Sequence, residues 1–313
     1  MFAGTPEPAL PTLRALIDDG HNIAAVITRP PAPAGRGRAL VPSRVADAAA
    51  AAGLPLLTPG SARDPEFVAR LAELAPDLGV VVAYGQILRP AVLDIPARGW
   101  VNLHFSLLPA WRGAAPVAAA IRAGDDITGA SAFRLEAGMD TGPVYGVVTE
   151  PIGATDTTGD LLARLANAGA GLISRVVAGL AAGTMQAWPQ PAAGVSSAPK
   201  LAADDAEVDF GAPAIAVDRQ IRAVTPEPGA WTESPWGRIS LGPAVPVGPA
   251  GEPADAPPPA PGELVGQRRR VLVGTGTGPM ELGQVKPPGR RWMAATDWAR
   301  GVRLAPGTRL GRP

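Results

Sequence analysis

The periodicity of apolar positions changes near residue 183, and the elements it predicts change with it. The chain opens with a short apolar start, a Gly-Thr-Pro turn, and a helix with apolar residues at Leu13, Leu16 and Ile17, which Gly20 is placed to stop. "HNIAAVIT" (21–28) then reads as a strand, and strand–helix–strand predicts a parallel sheet. Only Met1 to Ala3 precede the first turn, which is short for a strand. The alternation continues. "VPSRVADAAAAAGLPLLTP" gives a helix and a short strand. "DPEFVARLAELAPDLGVVVAYG" gives a helix and a buried strand, Gly79 to Ala83. "GWVNLHFSLLP" is a strand over Val101 to His104 that enters a turn, and "AAPVAAAIRAG" is a helix. "ITGASAFRLEAGMDTGPVYGVVTEPI" reads as strand, Gly-rich turn, strand, and a long helix follows that ends near Gly183. Residues 1–183 therefore read as an open, Rossmann-like α/β domain.

The pattern then breaks. Residues 184–203 are rich in Pro, Ala and Ser and read as a linker. After a short helix in "IAVDRQIRAV", the segments "GRISLG", "RRVLVGTG" and "PMELGQV" read as short strands with turns, the signature of a small OB-like β-barrel over 204–313. "PVGPAGEPADAPPPAPG" (246–262) is low in complexity and reads as a mobile loop.

Composition narrows the chemistry. With 46% hydrophobic and 18% charged residues the chain is globular, and a formal net charge of +0 gives the whole molecule no attraction for polyanions. The charge is not evenly spread. From Gly262 to Pro313 ten bases face three acids, a local excess of +7 that includes Arg268, Arg269 and Arg270, and basic strands on a small barrel suit a nucleic-acid face. With no Cys there is no disulfide, no thiolate nucleophile and no Cys-bound zinc. We expect no metal. No basic segment with an apolar core stands at the N-terminus, and apolar stretches such as "LGVVVAYGQIL" fall short of the roughly 20 residues that span a bilayer, so a soluble cytoplasmic monomer without a membrane partner is expected.

Only 2 His occur in 313 residues, and one of them lies in "VNLHFSLLPAWRGAAP" (101–116). Asn102 and His104 alternate along one strand and so share a face, at the strand end where open α/β sheets bind ligands. An Asn amide can stabilise a developing oxyanion, and a His can do the same or move a proton. "GMDTG" (138–142) sets Asp140 in a tight turn after the next strand, where a carboxylate can orient the His or take a proton through water. Each of the three alone also fits an ordinary structural role. Together, without a Ser or Cys nucleophile, they suggest direct transfer to an incoming nucleophile.

These motifs, with "FAGTPEPA", "RPPAPAGRGRALVPS" (29–43), "VVVAYGQIL" and "EAGMDTG", resemble the bacterial methionyl-tRNA formyltransferase family in the same order over nearly the whole chain. The Asn-x-His, Ser-Leu-Leu-Pro and Asp-Thr-Gly core is common to folate-dependent formyltransferases generally. The resemblance implies a Rossmann-like formyltransferase domain, with Asn102, His104 and Asp140 as its catalytic trio. It implies that Ser106, Leu107, Leu108 and Pro109 line the site of 10-formyltetrahydrofolate, with Tyr84, Gly85, Ile87 and Leu88 adding to the pterin pocket. It implies initiator methionyl-tRNA as the acceptor. The acid-free loop carrying Arg29, Arg36, Arg38 and Arg44 would reach the acceptor end, and the basic C-terminal domain would hold phosphates.

A sugar or purine-precursor formyltransferase would share the trio but would not need the Arg loop and the basic barrel. A hydrolase that discards the formyl group would often carry a further N-terminal domain. A non-catalytic RNA-binding relative would not be expected to keep Asn102, His104 and Asp140 intact. "GTGTGP" (274–279) lacks the Lys-Ser/Thr ending of a phosphate loop and reads as a hairpin turn.

Overall fold

A computed structural model describes residues 1–34, 39–248 and 258–311. It divides into two compact units. One comprises Met1–Pro116, Ile127–Pro151 and Leu162–Ala198; the other comprises Val117–Asp126, Ile152–Leu161 and Pro199–Pro313.

The first unit begins with β1 (Phe2–Gly4), α1 (Leu10–Asp18), β2 (Val26–Ile27), β3 (Ala32–Ala34), β4 (Ala39–Val41), α2 (Arg44–Ala51), β5 (Leu56–Leu57) and α3 (Pro65–Leu74). It continues through β6 (Gly79–Val82), α4 (Pro90–Leu93), β7 (Trp100–His104), β8 (Arg112–Gly113), β9 (Ile127–Arg134), β10 (Val144–Pro151), α6 (Thr158–Ala182) from Leu162 onward, and β11 (Ser197–Ala198), while α5 (Pro116–Ala123) belongs to the other unit from Val117 onward. Seven strands form one sheet in the order β10-β9-β7-β6-β1-β2-β5. Its five strands from β7 to β5 are parallel, as the alternating strand–helix pattern requires, while the hairpin β9–β10 runs antiparallel along the β7 edge. Within "HNIAAVIT" the ladder holds only Val26 and Ile27. β1 lies between β6 and β2, so the crossover direction reverses there, and the C-terminal ends of β1, β6 and β7 open onto the crevice where such sheets take ligands.

Burial explains the central strands. All four residues of β6, "GVVV", are buried, as in a strand covered on both faces. Gly79 is required there: a Cβ would fall 2.1 Å from the ring of Trp100, which is itself buried and donates from Nε1 to the Val92 carbonyl at 3.0 Å. α6 packs through Leu165, Ala166, Ala170, Leu172, Ile173 and Val176, and Gly169 admits Leu103 of β7. At 25 residues α6 is long and apolar enough, by length and composition, to cross a membrane, which corrects the reading that no stretch reaches that length. Its many Ala and Gly residues conceal the length of the run, and a large part of it is core.

The segment from 184, expected as a linker, is bound backbone as far as Ala198. Val144 and Trp188 exchange two backbone hydrogen bonds (2.8 and 2.9 Å), and β11 pairs parallel with β8. A Pro-Ala-Ser composition carries no periodicity from which such pairing can be read.

The second unit holds α7 (Ala214–Ala223), β12 (Trp231–Thr232), β13 (Ile239–Leu241), β14 (Ala244–Pro246), β15 (Leu264–Gly266), β16 (Val271–Gly274), β17 (Pro279–Leu282), β18 (Gln284–Lys286), β19 (Met293–Ala294) and α8 (Ala295–Gly301). Two four-stranded antiparallel sheets, β12-β13-β18-β19 and β14-β17-β16-β15, share one core that includes Trp231, Ile239, Val273, Met280, Leu282, Val285 and Trp298. "PMELGQV" divides into β17 and β18, with Gly283 between them.

Candidate active site

Asn102 and His104 stand on the same face at the C-terminal end of β7, opposite Phe133 and Ser131 of β9. The Asn102 side chain is half-buried and its amide has no hydrogen-bond partner among the described residues. His104 is buried. Its Nε2 lies 2.8 Å from the Trp111 carbonyl, and because a carbonyl only accepts, Nε2 carries the proton of the neutral ring. Nδ1 is then the basic nitrogen, and it faces Oδ2 of Asp140 at 3.7 Å, close for electrostatics but too long for a direct hydrogen bond. Phe133 meets the imidazole edge-on, with ring centroids 6.4 Å apart. Burial pushes the His104 pKa below its usual value, while the Asp140 charge and the Trp111 carbonyl pull the other way.

Asp140 adopts φ 53°, in the left-handed region that Asp tolerates better than most residues, and its Oδ2 accepts the Gly113 N–H at 2.8 Å. Trp111 is also left-handed, at φ 58°, and that conformation delivers its carbonyl to His104. Gly113, at φ 125°, has the Ala198 carbonyl 2.5 Å from where a Cβ would stand, so only Gly fits and still offers its N–H to Asp140. His104 and Asp140 are thus held together by the 111–113 segment, to which the sequence reading assigned no role.

The Ser-Leu-Leu-Pro turn is pinned from β9. The buried Ser131 hydroxyl donates to the Ser106 carbonyl at 2.7 Å and accepts the Leu108 N–H at 3.1 Å, and the Leu108–Pro109 peptide is cis. Ser106 Oγ donates to the Ala110 carbonyl at 2.6 Å, and the Leu107 side chain packs over Gly129. The proposed pterin residues divide. Tyr84 and Leu88 lie in the core with Phe67, Val92 and Trp100, whereas Gly85 and Ile87 are exposed. The Tyr84 hydroxyl is buried without a partner among the described residues, and burial pushes its pKa up to about 12. Ile87 and Met139 are 66% and 67% exposed, an unusual exposure of apolar side chains after β6 and beside Asp140.

Of the expected tRNA-contacting residues, Arg36 and Arg38 lie outside the described residues. β3 and β4 flank them as a two-stranded ladder, Ala32 opposite Val41. Arg44 is exposed at the start of α2, whose N-terminus is capped by Ser43 Oγ. Arg268 and Arg269 are exposed in the turn between β15 and β16, and Arg270 donates from Nε to Gln267 at 2.7 Å.

An open parallel sheet with this polar cluster at its strand ends, followed by an antiparallel β unit, defines a formyl transferase. Residues 1–177 match the formyl transferase family model, and residues 200–303 match that of the formyl transferase C-terminal domain. An N-formyltransferase from Helicobacter canadensis, solved with folinic acid and dTDP-3-aminofucose, superposes with a TM-score of 0.65 over 90% of this chain and 97% of its own, at 15% identity. Similarity in sequence is far greater to two methionyl-tRNA formyltransferases. That of Thermobifida fusca (strain YX) is 58% identical over 99% of this chain and 98% of its own length, and that of Streptomyces coelicolor is 55% identical over 99% of each. The chain belongs to the methionyl-tRNA formyltransferase family.

Proposed function

We propose that this chain transfers the formyl group of 10-formyltetrahydrofolate to the α-amino group of methionine on initiator tRNA, giving N-formylmethionyl-tRNA, and that Asn102, His104 and Asp140 carry the reaction. The observation that carries the reading is the cluster at the end of β7: an unengaged amide and a buried imidazole whose basic nitrogen faces a carboxylate. Identity to the Thermobifida fusca relative over 99% of the chain favours a tRNA acceptor over a sugar or nucleotide precursor.

The site suits a folate donor. Asn102 offers a free amide donor, and Ile87 and Met139 leave apolar surface for an aromatic ring system to cover. When bound, the folate supplies the formyl carbon, and its N10 takes up a proton as the new C–N bond replaces the old one. Asn102 donates to the formyl oxygen as that oxygen gains charge. His104 receives the amine proton at Nδ1, directly or through water, and gives it up again, through water, as the proton that the departing nitrogen takes. Asp140 lowers the cost of the resulting buried imidazolium from 3.7 Å away. Ser106 to Pro109, pinned by Ser131, hold the donor, and bringing both substrates together supplies much of the rate. Arg36, Arg38, Arg44 and Arg268 to Arg270 engage tRNA phosphates, and the reaction takes place in the cytoplasm on a monomeric enzyme.

The test is transfer from 10-formyltetrahydrofolate to Met-charged initiator tRNA, with Met-charged elongator tRNA as control. Formyl-methionine on the initiator alone is expected. No transfer to either tRNA by protein that still binds the folate overturns the acceptor assignment.

A further inference from the structure

The structure assigns to Gln190 the role of positioning residue for the catalytic pair: it fixes the Asp140 turn against the 111–113 segment and so sets the carboxylate's place beside His104. The inference rests on the reading of Asp140 and His104 given above. Gln190 lies in the stretch whose composition reads as a linker, yet its amide is fully engaged. Nε2 donates to the Asp140 carbonyl at 2.8 Å and to the Gly142 carbonyl at 2.8 Å. Oε1 accepts from Arg112, from Nε at 3.1 Å and from Nη2 at 2.5 Å. One side chain therefore grips the backbone on both sides of Thr141 and ties it to the residue between Trp111 and Gly113.

Those two neighbours hold the pair itself. Trp111 presents its carbonyl to His104, and Gly113 its N–H to Asp140. The same strap secures the segment again at Ser196, whose carbonyl accepts the Arg112 N–H at 2.9 Å and whose Oγ accepts the Trp111 N–H at 2.9 Å. Asp140 and Trp111 are both left-handed non-glycine residues, conformations that persist only when surrounding contacts enforce them. Only a planar amide places two donors on one side and an acceptor on the other. A carboxylate at 190 would set oxygens against two carbonyls, and an apolar side chain would leave both carbonyls and the guanidinium without these bonds.

The variants are Gln190→Ala and the length-matched Gln190→Met, which carries the test if the alanine protein does not fold. With only two His in the chain, the His104 ring titrates as one of two resolvable signals in nitrogen-15 NMR, a readout independent of turnover. The groups that face this ring are Asp140, the Trp111 carbonyl and Phe133. Asp140→Asn should lower the His104 midpoint by removing the charge that raises it. Gln190→Ala should move the midpoint the same way by less, and the double variant should titrate like Asp140→Asn alone. In the transfer assay Gln190→Ala should lose kcat by about 10- to 100-fold, the size of effect that small misplacements produce, with KM for both substrates little changed.

A wild-type His104 titration in both Gln190 variants overturns the inference. So does an equal shift in the presence and absence of Asp140, or a fall in thermal stability with kcat unchanged. Failure of the catalytic reading looks different: Asp140→Asn would keep wild-type turnover while the NMR coupling to Gln190 persisted.

Discussion

Replacing Ser131 by Ala tests how the Ser106–Pro109 turn, proposed to hold the folate donor, is built. The hydroxyl is buried and bridges two backbone groups of the turn, donating to the Ser106 carbonyl (2.7 Å) and accepting the Leu108 N–H (3.1 Å). Alanine fits the strand without a clash and leaves both groups unsatisfied in a site closed to water. A stranded buried donor or acceptor costs about 1–3 kcal/mol, so the pair together costs about 2–4 kcal/mol once relaxation of the turn is allowed for. Ser106→Ala is the internal comparison. It removes one bond, to the Ala110 carbonyl, and should cost about 1 kcal/mol. The assay is urea unfolding of each variant followed by tryptophan fluorescence, with equilibrium dialysis of the folate. Ser131→Ala should lower the unfolding midpoint more than Ser106→Ala and weaken folate binding, while the His104 titration stays unchanged. A loss under about 0.5 kcal/mol, the range of neutral surface changes, would refute the claim that this hydroxyl pins the turn.

Other consequences are equally open to measurement. Asn102→Ala should reduce kcat by about 100- to 1000-fold, as for loss of one oxyanion donor, with folate affinity retained in dialysis. Because burial lowers the His104 pKa, the folded protein binds fewer protons than the unfolded chain around pH 6.5. Stability from this group is therefore complete above that pH and lost as pH falls from there to the lower folded pKa, and His104→Gln should flatten the fall in chemical-denaturation curves taken at successive pH values. Gly142→Ala would place a Cβ 1.8 Å from the Arg134 carbonyl, so the β9–β10 hairpin must shift, and a loss of about 3 kcal/mol or more is expected in thermal unfolding.

The residues of the trio were legible because their signals are local. Period-two alternation puts Asn102 and His104 on one face in any strand, and an Asp between Gly138 and Gly142 announces a turn. The parallel sheet followed for the same reason: strand and helix periods alternate, and short connections leave few topologies. What joins the pieces is not local. Asp140 meets His104 because the loop between β9 and β10, which leaves beside Trp100 at the start of β7, folds back toward His104, and because Gly113 offers an N–H from a third segment. Tyr84 and Leu88, adjacent in sequence to exposed Gly85 and Ile87, turn into the core, since Ala83 at φ 48° and Gly85 at φ 87° bend the backbone there.

The strap from 184 to 198 marks the boundary between the two kinds of information. Its Pro, Ala and Ser residues have no periodic apolar face, and its bonds run from one Gln amide and one Ser hydroxyl to backbone groups that lie far away in sequence. A backbone carbonyl is the same in every residue, so no side-chain pattern identifies which carbonyl will be gripped. The sequence by itself determined the sheet type, the face of β7 and the chemistry of the groups placed on it. The tertiary structure alone decided which atoms of the imidazole and the carboxylate face one another and which distant residue holds them there, because those contacts depend on how separate parts of the chain are laid side by side.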